Sequence, residues 1–112
     1  MSKSNVTSIN EEQFEAEVVH RAGTVLVDFY TPWCPPCRRA APELEALSAS
    51  QGAALKVVKI DANENARVAA EHNVLSVPTF VLYQDGRRID QISGYRSKAQ
   101  FEHWIESSRL GS

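Results

Sequence analysis

Cys34 and Cys37 are the only cysteines of this 112-residue chain, and they stand three residues apart in the stretch Trp33-Cys34-Pro35-Pro36-Cys37. An apolar run, residues 25–30 (VLVDFY), leads straight into them, and a helix-like pattern follows from about residue 38. A Cys-x-x-Cys pair at a strand-to-helix junction points to a dithiol that cycles with its own disulfide. Residues three apart on a helix share a face, with Cβ atoms about 5–6 Å apart. A small local adjustment then brings the sulfurs within bonding range. With Cys34 at the helix N-cap, its sulfur faces the free N–H groups of the first turn and the positive end of the helix dipole. Both favour the thiolate, which is the nucleophile in thiol–disulfide exchange. Cys37, one turn in, is expected to be more shielded and placed to attack back. Two other readings exist for such a pair, half of a zinc site or two inert structural thiols. Zinc takes about four ligands, and His20, His72 and His103 have no ligand-like spacing to the pair.

Other residues near the motif carry chemistry by type. Asp28 is an acid inside an apolar strand, where burial raises the pKa of a carboxyl. Its alternative is a strand-end position reaching solvent. Pro35 suits the first helical position, since its missing N–H is unpaired there anyway. It also precedes Pro36, and a residue before proline is pushed away from the helical region. Arg38 and Arg39 follow the dithiol. They lower the thiol pKa, steer acidic partners, or form a plain solvated face.

The elements that must hold these residues are set by pattern. Residues 6–9 make a short edge strand. Ser8-x-x-Glu11 and Asn10-x-x-Gln13 both have capping-box spacing, so a helix starts there, buries Phe14 and Val18, and ends at Ala22-Gly23. The nearly continuous apolar run at 25–30 suits a strand covered on both faces. Residues 38–50 read as a helix with Ala41, Leu44 and Leu47 on one side and Pro42 as a kink. Residues 55–60 form a strand, 66–72 a short helix, and 79–83 and 87–93 two strands joined by the tight turn Asp85-Gly86. Ser97-x-x-Gln100 caps a last helix with Phe101, Trp104 and Ile105 inward. The order βαβαβαββα implies an α/β sheet with helices on both faces.

Length fits one domain over residues 1–112, with residues 1–5 expected to fray and Gly111-Ser112 expected to be a cloning remnant. Such a chain buries about 65% of its unfolded surface. A net charge of −2 leaves no nucleic-acid or acidic-membrane footprint. No apolar run approaches the roughly 18–20 residues needed to cross a bilayer. The first residues, MSKSNVTSINEEQ, lack the apolar core of a signal peptide. A reducing cytoplasm is therefore the expected location.

Over residues 9–105 the chain resembles the thioredoxin family. The matching pieces are VDFY before the motif, WCPPC, Pro42, KIDANEN, SVPTF, the DG turn and Gly94. The resemblance implies the thioredoxin fold, a central mixed β-sheet flanked by helices on both faces. It implies a general protein-disulfide reductase in which Cys34 attacks the substrate disulfide and Cys37 resolves the mixed disulfide. Asp28 would lie beneath the dithiol and take the proton from Cys37. Pro78 would follow a cis bond, sit against the dithiol and keep metals off it. Trp33, Pro36, Val77, Pro78, Gly94 and Tyr95 would line the substrate groove, the alternative for Trp33 and Tyr95 being core packing. No cofactor or metal would be bound. Electrons would come from NADPH through thioredoxin reductase and pass to disulfide-containing proteins, with the chain a monomer. The family's usual motif is CGPC, so Pro35 is expected to shift the reduction potential. The family's lysine near the aspartate is aligned with Val57, and Lys59 is read as facing the opposite side, with no catalytic role. Tyr30 and Pro32 are departures that affect packing. Two rivals remain: a specialised thioredoxin-like oxidase or isomerase, favoured by Pro35 alone, and a binding scaffold on which the dithiol is incidental.

Overall fold

A computed structural model describes residues 5–110. Apart from Asn5, the expected frayed and remnant residues at 1–5 and 111–112 lie outside the described residues. Asn5 itself is tied down, its N–H donating to Ser48 Oγ at 2.9 Å.

Five strands form one mixed sheet in the order β1-β3-β2-β4-β5. They are β1 (Val6–Ser8), β2 (Thr24–Tyr30), β3 (Leu55–Asp61), β4 (Thr79–Gln84) and β5 (Arg87–Ser93). β3 runs parallel to both β1 and β2, while β4 is antiparallel to β2 and β5. Three α-helices accompany them: α1 (Pro35–Gln51), α2 (Ala66–Glu71) and α3 (Lys98–Leu110). The expected α/β class and mixed sheet are present, and so is the element order except for the first helix. Among the described residues no helix is long and apolar enough to cross a membrane.

Strand alternation divides the core into two layers. On one face Leu26, Val57, Phe80 and Leu82 pack against Ala40, Leu44 and Leu47 of α1 and Phe101 and Ile105 of α3. Phe80 and Phe101 meet edge-on with centroids 4.8 Å apart. On the other face Val25, Val27, Phe29, Val58, Ile60 and Val81 pack with Phe14, Val18 and Val68. β2 is buried on both faces because it lies at the centre of the sheet with a layer on each side.

The segment before β2 differs from expectation. Asn10 and Gln13 do form the reciprocal cap, at 3.0 and 3.1 Å. Instead of a regular helix, the chain then makes one wide π-helical turn, Glu15–Val19, closed by the His20 N–H on the Glu15 carbonyl at 2.8 Å. Paired β-branched valines at 18 and 19 are poor material for extending a helix. At the last helix, the expected Ser97–Gln100 box is present at 2.9 and 3.2 Å.

His72, expected at the end of the short helix, is buried between the α2 segment and β4. Its Nδ1 lies 2.8 Å from the Val68 carbonyl and its Nε2 2.6 Å from the Tyr83 hydroxyl. A carbonyl only accepts, so Nδ1–H donates there and Nε2 accepts a hydrogen bond from the Tyr83 hydroxyl. Burial pulls the His72 pKa below its ordinary value.

The β4–β5 hairpin turns on Asp85 and Gly86, both at positive φ (51° and 81°). A Cβ at Gly86 would collide with the Val19 carbonyl oxygen, whereas one at Gly23 (φ 89°) would meet open space. Gly86→Ala therefore combines backbone strain of about 1–2 kcal/mol with a steric clash. Gly23→Ala carries the strain alone. Urea unfolding should show the larger loss for Gly86→Ala, with both slopes unchanged. Equal midpoints would show that Val19 yields freely.

Candidate active site

β2 hands the chain to α1 through residues 31–34, where the Cys34 N–H donates to the Thr31 carbonyl at 3.3 Å. Cys34 is extended (φ −92°, ψ 111°) and is the N-cap of α1. Its Sγ accepts the Cys37 backbone N–H at 3.2 Å. Pro35 occupies the first helical position, so the preference for proline there prevails over the restriction that Pro36 imposes. The helix thus begins at the motif itself rather than near residue 38. Cys34 and Cys37 are joined as a disulfide with Cα atoms 5.2 Å apart.

Burial of the whole residues does not separate the two cysteines: Cys34 is 7% exposed and Cys37 6%. Their neighbours do. Cys34 Sγ lies 3.6 Å from the Val77 carbonyl oxygen and receives the helix N–H. Cys37 faces inward, onto a cavity of about 140 Å³ lined by Asp28, Tyr30, Thr31, Pro32, Arg38, Ala41 and Lys59.

Asp28 is buried on the α1 side of the sheet, as its parity with Leu26 requires. Its Oδ1 has no hydrogen-bond partner among the described residues. Burial raises its pKa from 3.8 to about 7, against the opposing pull of the Lys59 charge. Here the reading of Lys59 is corrected. β2 and β3 are parallel and in register, with Leu26 opposite Val57 and Asp28 opposite Lys59. Positions 57 and 59 are two apart on one strand and so share a face. Lys59 therefore lines the cavity with Asp28, and its Nζ lies 5.4 Å from the centre of the Tyr30 ring.

Opposite the dithiol, the Val77–Pro78 bond is cis, as the resemblance implied. The Gly94 N–H donates to the Pro78 carbonyl at 2.8 Å, which brings the loop after β5 beside the cis-proline loop. Trp33 is 64% exposed and Tyr95 also reaches solvent, so neither is a core residue. Pro36, Val77 and Gly94 are half-buried, and Pro78 is buried.

Sequence reasoning missed three features. Leu75 is 96% exposed. With Ala62, Ala66, Ala70 and Val74 it borders an apolar hollow of about 350 Å³ that reaches Val77. Its signal was an apolar run, VLSV, with no strand or helix to claim it. The Arg39 guanidinium lies over the Tyr95 ring, 5.7 Å from its centre. Arg96 donates from Nη1 to the carbonyls of Ser93, Gly94 and Tyr95 at 3.0–3.1 Å. Neither contact has a sequence signature. Among the described residues no three His, Cys, Asp or Glu side chains cluster as a metal site.

A capped dithiol at a strand–helix junction, facing a cis-proline loop and backed by a buried acid, defines a thiol–disulfide exchange protein. A sequence model of the thioredoxin family matches residues 5–107. The thioredoxin of Listeria monocytogenes serovar 1/2a is 40% identical over 100 residues, covering 89% of this chain and 95% of that protein. The thioredoxin of Bacillus subtilis is 36% identical over 100 residues, covering 89% and 94%. That of Porphyra purpurea is 36% identical over 98 residues, covering 88% and 92%. The chain belongs to the thioredoxin family and is a thiol–disulfide oxidoreductase of thioredoxin type, with protein-disulfide reductase activity. Such proteins need no bound cofactor.

The raised pKa of Asp28 has a consequence for stability. Between pH 3.8 and about 7 the folded state holds a proton that the unfolded chain gives up. Stability from this group is therefore greatest in acid, falls as pH rises to about 7, and is flat above. The full span corresponds to a cost on the order of 4 kcal/mol. His72 contributes the opposite slope, because its lowered pKa makes acid destabilising as pH falls below 6.5. Asp28→Asn should be more stable than the parent at pH 8, with the gap closing towards pH 4, as read from urea midpoints. A gap independent of pH would mean that Asp28 titrates normally.

Proposed function

We propose that this chain is a general protein-disulfide reductase in which Cys34 is the attacking sulfur. The observation that carries the assignment is the difference in electrostatic surroundings between two cysteines that are buried alike as whole residues. Cys34 caps α1 and accepts the Cys37 N–H, which favours its thiolate. The Cys34 thiolate attacks one sulfur of a substrate disulfide, forming a mixed disulfide and expelling one substrate thiolate. Cys37 gives its proton to the Asp28 carboxylate through the shared cavity, by way of water. The Cys37 thiolate then attacks Cys34 Sγ, and the second substrate thiolate leaves. The products are a Cys34–Cys37 disulfide and a reduced substrate carrying two thiols once protonated. A pKa near 7 suits Asp28 to accept and return that proton at neutral pH.

Trp33, Pro36, Val77, Pro78, Gly94 and Tyr95 form the substrate groove in this reading. The half-buried Val77 backbone pairs with an extended substrate segment, as in strand addition. Pro78 keeps metals off the reduced dithiol. A flavoprotein thioredoxin reductase, fed by NADPH, returns two electrons to the disulfide. The protein works as a cytoplasmic monomer, a single domain across residues 1–112.

Reduction of insulin disulfides with NADPH and a thioredoxin reductase is expected to be rapid, and Cys34→Ser should abolish it. Turnover only with dithiothreitol as donor would instead favour a specialist with its own electron source. Turnover surviving in Cys34→Ser would overturn the assignment of the nucleophile. Asp28→Asn should slow release of the mixed disulfide by about 10²–10⁴-fold, the usual range for losing a general base. Its resolution rate should lose the rise near pH 7; an unchanged profile would remove Asp28 from the cycle. Pro35→Gly should alter the reduction potential, since Pro-Pro restricts the motif in both redox states. A differential strain of about 1.4 kcal/mol moves it by roughly 30 mV. Identical potentials in glutathione titration would make Pro35 neutral.

A further inference from the structure

One rim of the groove is built from arginines that the disulfide chemistry does not use. Arg39, exposed on the first turns of α1, lies over the face of Tyr95. Arg96 ties down the backbone that carries that tyrosine by binding three successive carbonyls, Ser93, Gly94 and Tyr95. The same loop is pinned to the cis-proline turn by the Gly94–Pro78 hydrogen bond. Arg38 reaches the cavity behind Cys37. Among the described residues none of these three arginines is in an ion pair.

A guanidinium stacked on an aromatic face keeps its planar fork of N–H donors free at the edge, matched to a carboxylate. The stacking also fixes the side chain in advance, so less rotamer freedom is lost on binding. We infer that Arg39, braced on Tyr95, is a specificity residue that selects substrate segments with an aspartate or glutamate beside the disulfide cysteine, and that Arg96 is the positioning residue that holds Tyr95 in place. This rests on the reductase reading above. The guanidinium acts on the substrate's flanking carboxylate and takes no part in electron transfer.

The test uses two synthetic peptide disulfides, identical except for Glu or Gln next to the bridged cysteine. The readout is the ratio of their kcat/KM values in the reductase-coupled assay. An exposed ion pair is worth about 0.2–1 kcal/mol, so the parent should favour the Glu peptide by about 1.4- to five-fold at low salt. The ratio should fall to about one in Arg39→Gln and to about one in 0.5 M salt, where charges are screened within a few ångströms. Tyr95→Leu and Arg96→Gln should lower it part of the way, while Tyr95→Phe, which keeps the ring face, should preserve it. If Arg39 merely tuned the Cys34 thiol, Arg39→Gln would change both peptides equally and leave the ratio intact. A ratio of one in the parent, or a ratio that survives Arg39→Gln, would overturn the inference. Turnover of the Gln peptide that Cys34→Ser abolishes tests the reductase reading separately; its absence would sink that reading and the inference with it.

Discussion

Burying a carboxyl group on the central strand of a sheet costs free energy that the rest of the molecule must offset. Asp28 sits on β2 between β3 and β4, with α1 over it. The offset comes from the two apolar layers that the same strand anchors, one through Leu26 and the other through Val25, Val27 and Phe29. Each fully buried side chain of this kind contributes about 1.5–3 kcal/mol. A strand inside the sheet contributes to both layers, so it can carry a misfit that an edge strand of three residues could not. Lys59 moderates the cost without removing it, because its charge opposes the larger effect of burial. The carboxyl is thereby left poised near neutrality rather than locked in either protonation state.

The dithiol depends on the same strand from its other end. β2 is tied on both sides as far as Phe29, and it delivers residues 31–34 into the first turn of α1. β4, its antiparallel neighbour, begins directly after the cis-proline. Thus one pair of adjacent strands fixes the disulfide, the acid behind it and the backbone in front of it. The loop carrying Gly94 joins them because β5 pairs with β4 from Thr79 outward. The proposed groove is therefore a product of sheet order, with contributions from residues 33, 78 and 94 that lie far apart in sequence.

Much of this was legible in the residues. The doubly buried strand, the hairpin turn at Asp85-Gly86 and the cap boxes at Asn10 and Ser97 each have local causes, and each appears where pattern predicts. So does the strand–CxxC–helix junction, because N-cap and first-turn preferences act within a few residues. The features that escaped pattern needed partners distant in sequence. The side of the sheet occupied by Lys59 follows from the parity shared with Val57 and from the β2–β3 register, and the misreading came from treating those two positions as opposed. The stack of Arg39 on Tyr95 joins α1 to the loop before α3, and no periodicity reports it. The exposure of Leu75 reflects a loop in which hydrophobicity serves no core. The π-helical turn at Glu15–Val19 marks the limit of capping signals, which announce where a helix starts and not how far it runs.

In the proposed cycle the division of labour between the cysteines has no cause in the burial of the whole residues, which is alike for both. It must come from the groups each sulfur touches. A backbone N–H is a fixed dipole that needs no reorganisation as negative charge develops, and Cys34 Sγ has one at 3.2 Å. Cys37 supplies that N–H, so its own backbone stabilises the rival thiolate. Its sulfur instead shares a cavity with a carboxyl whose pKa, about 7, lies below that of an ordinary thiol. Ionising Cys37 ahead of time is therefore unfavourable, while ionising it when Cys34 is already bonded to substrate is within reach, because no Cys34 thiolate then repels the new charge. In this proposal the same short turn that activates the first sulfur holds the second in reserve, and the order of the two attacks follows from electrostatics.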